Sequence, residues 1–150
     1  MQKLAEFEGY DNDFRVTEES IEEHGFGDEA LFHAFVAECP KSNELVGMAI
    51  SYVLPWTYDL KPTLVLKELY VEKCFRGIGI GPMLMSSIAQ RAIDLRAERI
   101  QWTVLSGNSK AIAFYSKLNG HQDHVWEPWL MEREQIERLA SAAISNNKIV

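Results

Sequence analysis

Hydrophobic positions recur with two different periods along this chain, and each change of period marks an element. Two apolar stretches, ALFHAFVAEC (30–39) and LVGMAISYVL (45–54), are rich in strand formers. The PKSN between them supplies turn residues, so the pair reads as a β-hairpin. After an aromatic-rich loop, PWTYDLKP (55–62), TLVLKELYVE (63–72) reads as a third strand. Beyond Pro82 the period becomes helical, with apolar residues at 84, 85, 88, 92 and 95 on one face of a helix over 82–97. Pro82 is expected at the first helical position, where a missing N–H costs nothing. RIQWTVL (99–105) predicts a fourth strand. NSKAIAFYSKLNG (108–120) predicts a helix with Asn108 as N-cap and Gly120 just past its end. HQDHVWEPWLM (121–131) is strand-like but interrupted by Pro128, and EREQIERLASAAI (132–144) predicts a last helix before a frayed end. Near the start, VTEESIEEHGFG predicts a short acidic helix stopped by Gly25 and Gly27. Strand, loop, helix and strand over 63–105 form a βαβ unit behind an antiparallel hairpin. The sheet is therefore mixed, in one α/β or α+β domain over 1–150.

Composition narrows the function. With 47% hydrophobic residues in 150, the chain can bury one core. Its formal net charge of -7 argues against nucleic acid as a partner, because neutralising phosphates needs a basic surface. That charge suits a cationic small substrate, and suits simple solubility equally well. No apolar run approaches the roughly 20 residues of a membrane span. The acidic start MQKLAEFEGYDND lacks the apolar segment of a signal peptide. Cys39 and Cys74 show neither metal-type spacing nor a disulfide framework, so they read as free thiols in a reducing cytoplasm. His24, His33, His121 and His124 have no ligand spacing, and no metal site is expected.

The stretch FRGIGIGPMLMSSIA (75–89) places glycines at 77, 79 and 81 immediately before a helix. Backbone N–H groups at a helix N-terminus are unpaired and carry the positive end of the dipole. Glycines let such a backbone turn sharply and approach phosphate oxygens, and Arg76 adds a cation. The segment lacks the Gly-Lys-Ser/Thr ending of a nucleotide-triphosphate loop. Its glycine spacing is also wrong for a dinucleotide fingerprint. Read from spacing alone, the loop serves either an anion or a tight turn.

Arg76-x-x-Gly79-x-Gly81 after an apolar strand resembles the acetyl-CoA-binding motif of the Gcn5-related N-acetyltransferase (GNAT) superfamily. Downstream, Asn108-x-x-Ala111-x-x-Phe114-Tyr115-x(4)-Gly120 is similar to that superfamily's second motif. The stretch containing HGFG and FHAFVAE resembles diamine (spermidine/spermine-type) N-acetyltransferases. The resemblance covers about residues 20–140. It implies a mixed, mostly antiparallel central sheet with flanking helices and splayed central strands.

It further implies that the coenzyme A pyrophosphate sits on the amides of Arg76, Gly77, Ile78, Gly79, Ile80 and Gly81. The pantetheine arm would run along Leu69, Tyr70 and Val71, with Phe114 nearby, while Asn108 either reaches the arm or caps its helix. Tyr115 matches the tyrosine proposed to protonate the leaving thiolate. That is feasible, since an unperturbed phenol titrates near ~10 and a thiol near ~8.5. The reaction is direct attack of an amine on the thioester, with a backbone N–H around Leu69 or Tyr70 holding the oxyanion. A homodimer is implied, as for relatives of the polyamine type.

Two departures matter. The polyamine-type pattern has Glu-Asp on the third strand, and here the pair is Lys67-Glu68. The proton-accepting glutamate thus aligns with Lys67, which repels a cationic amine, and Glu68 is the substitute. The spacing of Leu66, Leu69 and Val71 breaks alternation and hints at a bulge, which leaves open whether Lys67 or Glu68 faces the cleft. If Lys67 does, the acceptor carries a carboxylate. Second, the family begins with a strand and most of a helix before the position of Lys3. Residues 2–10 then match the tail of that helix, and the strand at 30–39 has an edge to be covered by a partner chain, a rearranged N-terminus or a crystal neighbour.

On the acceptor side the resemblance implies Glu22, Glu23, Glu127 and Trp129, with Trp56, Tyr58 and Trp126 as further aromatic walls. The acceptor is a polyamine, a diamine or a lysine-like amino acid. The alternatives are a protein N-acetyltransferase and an acyl-CoA-binding or sensing module with little catalysis.

Overall fold

The protein was analysed as a computed structural model that describes residues 1–55 and 59–145. The chain divides into two compact units, Met1–Phe114 and Tyr115–Val150. In the first, helix α1 (Gln2–Glu8) and helix α2 (Glu18–Gly25) precede strands β1 (His33–Glu38), β2 (Leu45–Leu54) and β3 (Thr63–Val71). Helix α3 (Ile80–Asp94), strand β4 (Arg99–Gln101) and the start of helix α4 (Ser109–Lys117) follow. The sheet order is β1-β2-β3-β4; the first two pairings are antiparallel and the last is parallel. This is the mixed, mostly antiparallel sheet expected from a hairpin followed by a βαβ unit.

The local signals act as their chemistry requires. The Thr17 hydroxyl accepts from the Ser20 N–H at 3.1 Å, and the Ser20 hydroxyl accepts from the Thr17 N–H at 2.9 Å, a reciprocal cap that starts α2. The Asn108 side-chain oxygen accepts from the Ala111 N–H at 3.1 Å and caps α4. Helix α3 begins two residues earlier than expected. Gly79 is its left-handed cap, so Pro82 lies at the third helical position. The first-turn N–H groups have no intrahelical acceptor, so proline remains harmless there.

Helix α3 packs on one face of the sheet. A Cβ on Gly47 would meet Ile80 Cγ2 at 3.1 Å and Leu84 Cδ1 at 3.2 Å, so a larger residue there would push helix and strand side chains apart by a few tenths of an ångström. Leu64, Leu66, Ala49, Leu84, Ile88 and Ala92 are buried in this core. Full burial of Leu64 or Ile88 contributes about 1.5–3 kcal/mol each. Residues of β2 alternate between faces, so Met48 points away from α3. On that opposite face Met1 and Leu4, at the start of α1, share a cleft with Met48.

Residues 2–8 are therefore a helix over a sheet face, and they do not cover the outer edge of β1. Among the described residues no strand pairs with that edge, so the expectation of an N-terminal cover is corrected: buried Leu4 and Ala5 draw this segment onto the face.

β4 is also shorter than expected, since its ladder ends at Gln101. In the second unit α4 ends at Lys117, and Asn119 takes the left-handed conformation beside Gly120 (φ 62°). Residues 121–131 form no strand. Pro128 lacks an N–H, the Asp123 carboxylate accepts from the Val125 N–H at 2.8 Å, and no apolar face there is buried to specify a register. Helix α5 (Arg133–Ser145) closes the unit. It carries i,i+4 ion pairs between Arg133 and Glu137 and between Arg138 and Glu134.

Candidate active site

Beyond β3, a helical turn at Lys73–Phe75 leads into Arg76 and the glycines. Gly77 and Gly79 have φ of 81° and 98°, in the region that favours glycine. A Cβ at either position would meet no protein atom within 4 Å, so the backbone there borders open space. No side chain caps α3, and the N–H groups of Gly77 through Gly81 find no acceptor among the described residues. A run of unpaired amides at the positive end of a 15-residue helix is a receptor for an anion.

The Phe114 ring lies 3.3 Å from where a Cβ of Gly81 would stand, which ties the start of α4 to this loop. Arg76 does not project over the loop. Its Nε donates to the Val71 carbonyl at 2.7 Å, and its guanidinium lies 5.3 Å from the Phe7 ring centroid and 5.6 Å from that of Tyr70. Its role is to hold α1 against the end of β3, helped by the Lys3–Glu72 ion pair at 2.6 Å.

The parallel ladder between β3 and β4 consists of Thr63 with Arg99, Leu64 with Ile100 and Val65 with Gln101, and then stops. β3 continues to Val71 while paired with β2 alone. Leu69, Tyr70 and Val71 thus line a gap where the two strands part, the splay expected from the family resemblance. An extended chain laid in that gap can pair with the groups of β3 that neither β2 nor the Arg76 side chain occupies.

Between β2 and β3 the register shifts at one point. Ile50 faces Glu68 and Ser51 faces Leu66, so Lys67 is an extra residue, a β-bulge. Cross-strand partners share a face, so Leu69 and Val71 side with Ala49 and Gly47 beneath α3, and Glu68 sides with Ile50. Leu66 and Leu69 both face α3, and the two residues between them turn to the other side. Lys67 and Glu68 accordingly line one cleft of about 250 Å³, with Tyr10, Asp13, Phe14, Arg15, Val16 and Met48 among its walls. The bulge thus places both side chains on the walls of this one cleft.

Their environments differ. The Glu68 side chain keeps only 16% of its surface exposed and Lys67 keeps 63%, with Lys67 Nζ 3.5 Å from the Glu68 carboxylate. Burial pushes the Glu68 carboxyl above its ordinary value; Lys67 opposes that shift and Glu8 adds to it. Burial likewise raises the Tyr10 phenol, with smaller contributions from Glu68 and Glu8. A carboxylate made more basic beside a cleft is suited to accepting a proton from an amine.

The other expected residues are dispersed. Glu22 and Glu23 lie on α2 and are absent from the walls of this cleft. Tyr115, Glu127 and Trp129 belong to the second unit, where Trp129 is 91% exposed. Trp56 and Tyr58 lie outside the described residues. Among the described residues no cluster of three or more His, Cys, Asp and Glu could hold a metal, and no helix is long and apolar enough to cross a membrane. Sequence reasoning missed Tyr10, Asp13 and Arg15. They sit in or beside a single 3-10 turn (Asp11–Asp13) between two helices, where neither period nor motif singles out a residue.

The acetyltransferase (GNAT) family matches residues 3–121 of the chain. The thialysine N-epsilon-acetyltransferase of Mus musculus is 30% identical over 95% of this chain and 87% of its own. The Sus scrofa protein of the same name is 28% identical over 93% and 87%. Among solved structures, an integron cassette protein from the mobile metagenome of V. cholerae superposes with a TM-score of 0.75 at 24% identity, covering 92% of this chain and 85% of that one. An aminoglycoside acetyltransferase from a soil metagenome superposes at 0.69 and 22% identity, covering 87% and 85%. The amide-lined loop, the parted strands and the family match over most of the chain agree, and the chain belongs to the acetyltransferase (GNAT) family as an acetyl-CoA-dependent N-acetyltransferase.

Proposed function

We propose that the protein moves an acetyl group from acetyl-CoA to the primary amine of a small molecule, with Glu68 as proton acceptor. The observation that carries this reading is the cleft of about 250 Å³ at the bulge, holding a half-buried carboxylate of raised basicity. Its volume lies below the roughly 300–1,000 Å³ of sites for drug-sized ligands, which supports a polyamine, a diamine or a lysine-like amino acid over a peptide. The names of the mouse and pig relatives, thialysine N-epsilon-acetyltransferases, support the same class.

The unpaired amides of Gly77–Gly81, preceded by Arg76, would take the diphosphate, and the edge of β3 left unpaired by β4, around Leu69, would pair with the pantetheine arm. Acetyl-CoA supplies the acetyl group as an activated thioester. Glu68 takes a proton from the amine, and nitrogen forms a bond to the carbonyl carbon. A backbone N–H of the bulged strand stabilises the oxyanion, and the carbon–sulfur bond breaks. The motif around α4 supports Tyr115 as donor of a proton to the departing sulfur. A thiolate with an unperturbed pKa near ~8.5 already leaves readily, so the acid adds little. Tyr115→Phe is expected to lower kcat only about tenfold with both substrates saturating; an unchanged kcat removes the assignment.

The test is thiol release from acetyl-CoA with spermidine, putrescine, lysine, thialysine and a short peptide. Turnover of at least one small amine well above the buffer blank, with the peptide slow, is expected. Release at the blank rate despite measured acetyl-CoA binding would indicate a sensing module. Preference for the peptide would indicate a protein N-acetyltransferase.

A further inference from the structure

We propose that the protein acetylates itself at Lys67. The Lys67 amine stands beside Glu68 on the wall of the cleft and takes the acetyl group from bound acetyl-CoA when no free amine occupies that cleft. This rests on the acetyl-transfer reading above and adds a modification site to it.

The first argument is position. The bulge turns Lys67 to the same side of the sheet as Glu68; in a regular strand two successive residues face opposite sides. Both line the cleft, and Lys67 Nζ lies 3.5 Å from the Glu68 carboxylate. Leu69, where the coenzyme arm would pair, follows on the same strand. Lys67 is mostly exposed, and its flexible four-carbon stem lets the amine swing between the carboxylate and an acetyl group brought into the cleft.

The second argument is a contrast between two lysine–glutamate pairs. Lys3 meets Glu72 at 2.6 Å, and that hydrogen bond is the main reason the Glu72 carboxyl is held below its ordinary value. A carboxylate so stabilised takes a proton poorly. At Glu68 burial outweighs the nearby cation, and the carboxyl is raised. The first pair is a surface clamp, whereas the second sets a primary amine against a base. Lys61 is likewise engaged on an exposed surface, by Glu98.

A second amine is close. Met1 lines the same cleft, and its α-ammonium, like that of Lys67, opposes the rise that burial causes at Glu68. Its influence is the smaller of the two, and Lys67 is the amine in ion-pair contact with the carboxylate.

The step balances with the groups already named. The Lys67 ammonium gives one proton to Glu68, and the neutral nitrogen forms a bond to the thioester carbonyl carbon. The carbon–sulfur bond breaks, the nitrogen's second proton ends on the departing sulfur, and Glu68 releases its own to solvent. The products are an amide at Lys67 and free coenzyme A.

The test is incubation of the whole chain with acetyl-CoA and no added amine, followed by peptide mass mapping over time. Lys67 is expected to gain one acetyl group at least about tenfold faster than Lys3, Lys61 or Lys73, because its amine is held beside the reacting centre. The rate per molecule should not change on dilution, as for a step within one chain. Glu68→Gln should slow labelling of Lys67 about 100-fold and leave the other lysines unchanged. Labelling of Lys67 no faster than of the other lysines overturns the proposal. So does label on the Met1 amine in place of Lys67, a rate that falls on dilution, or a rate unchanged in Glu68→Gln. If free amines are turned over while Lys67 stays unmodified, this inference fails and the proposed function stands. If Lys67 is labelled while no free amine is acetylated, small-molecule transfer fails and this inference stands.

Discussion

Glu68→Gln is expected to lower kcat about 100- to 1,000-fold at the best acceptor, the range for removing a positioned general base. Glutamine keeps the shape and the hydrogen-bonding capacity but cannot take the amine proton. The pH profile should show the same group. Glu68 works only when ionised, and burial raises its pKa, so the acid limb of kcat/KM should lie above the ordinary carboxylate value. Lys67 pulls that pKa down, so Lys67→Gln should move the limb to higher pH.

Stability should respond in the opposite sense to activity. A carboxyl whose folded pKa is raised contributes stability that is full below its unfolded value and is lost as pH rises through the folded one. At neutral pH the ionised Glu68 is thus a cost to the fold, and Glu68→Gln should melt no lower than wild type. A variant that keeps more than about a tenth of wild-type kcat would remove Glu68 from the chemistry.

Gly79→Val is expected to weaken acetyl-CoA binding about 10- to 100-fold, read by titration of the coenzyme, with a much smaller effect on the KM for the amine. Gly79 has φ 98° and caps α3, a conformation that valine reaches only at a cost of about 1–3 kcal/mol. No protein atom lies within 4 Å of the new Cβ, so the damage is not an internal clash. It arises because the backbone relaxes away from the conformation that aims its amides outward, and because the branched side chain fills the space an anion would enter. Coenzyme affinity within about threefold of wild type would mean that the loop does not hold the diphosphate.

The glycine loop and the bulge differ in how they are encoded. Gly77 and Gly79 are legible because left-handed backbone is a local need, and glycine satisfies it wherever it stands. The helix over Leu84, Met85, Ile88 and Ala92 is legible for a similar reason, since one buried face imposes its period on the residues that make it. The caps at Thr17 and Asn108 reach only three residues ahead. The strand expected at 121–131 misled because an apolar run predicts a strand only where a neighbouring strand receives it, and Pro128 and Asp123 redirect the backbone. The length of β4 could not be read either: RIQWTVL has strand composition throughout, yet pairing ends where β3 and β4 part.

By itself, then, the sequence determined the hairpin, the glycine loop with the helix behind it, and the family resemblance, because each is carried by residues close in the chain. The tertiary structure alone decided that Lys67 and Glu68 share a cleft, since a bulge exists only relative to the strand it is paired with, here Ile50 and Ser51 of β2. It alone brought residues 10–16 to the same cleft, because the fold carries the segment that follows α1 over the face opposite α3.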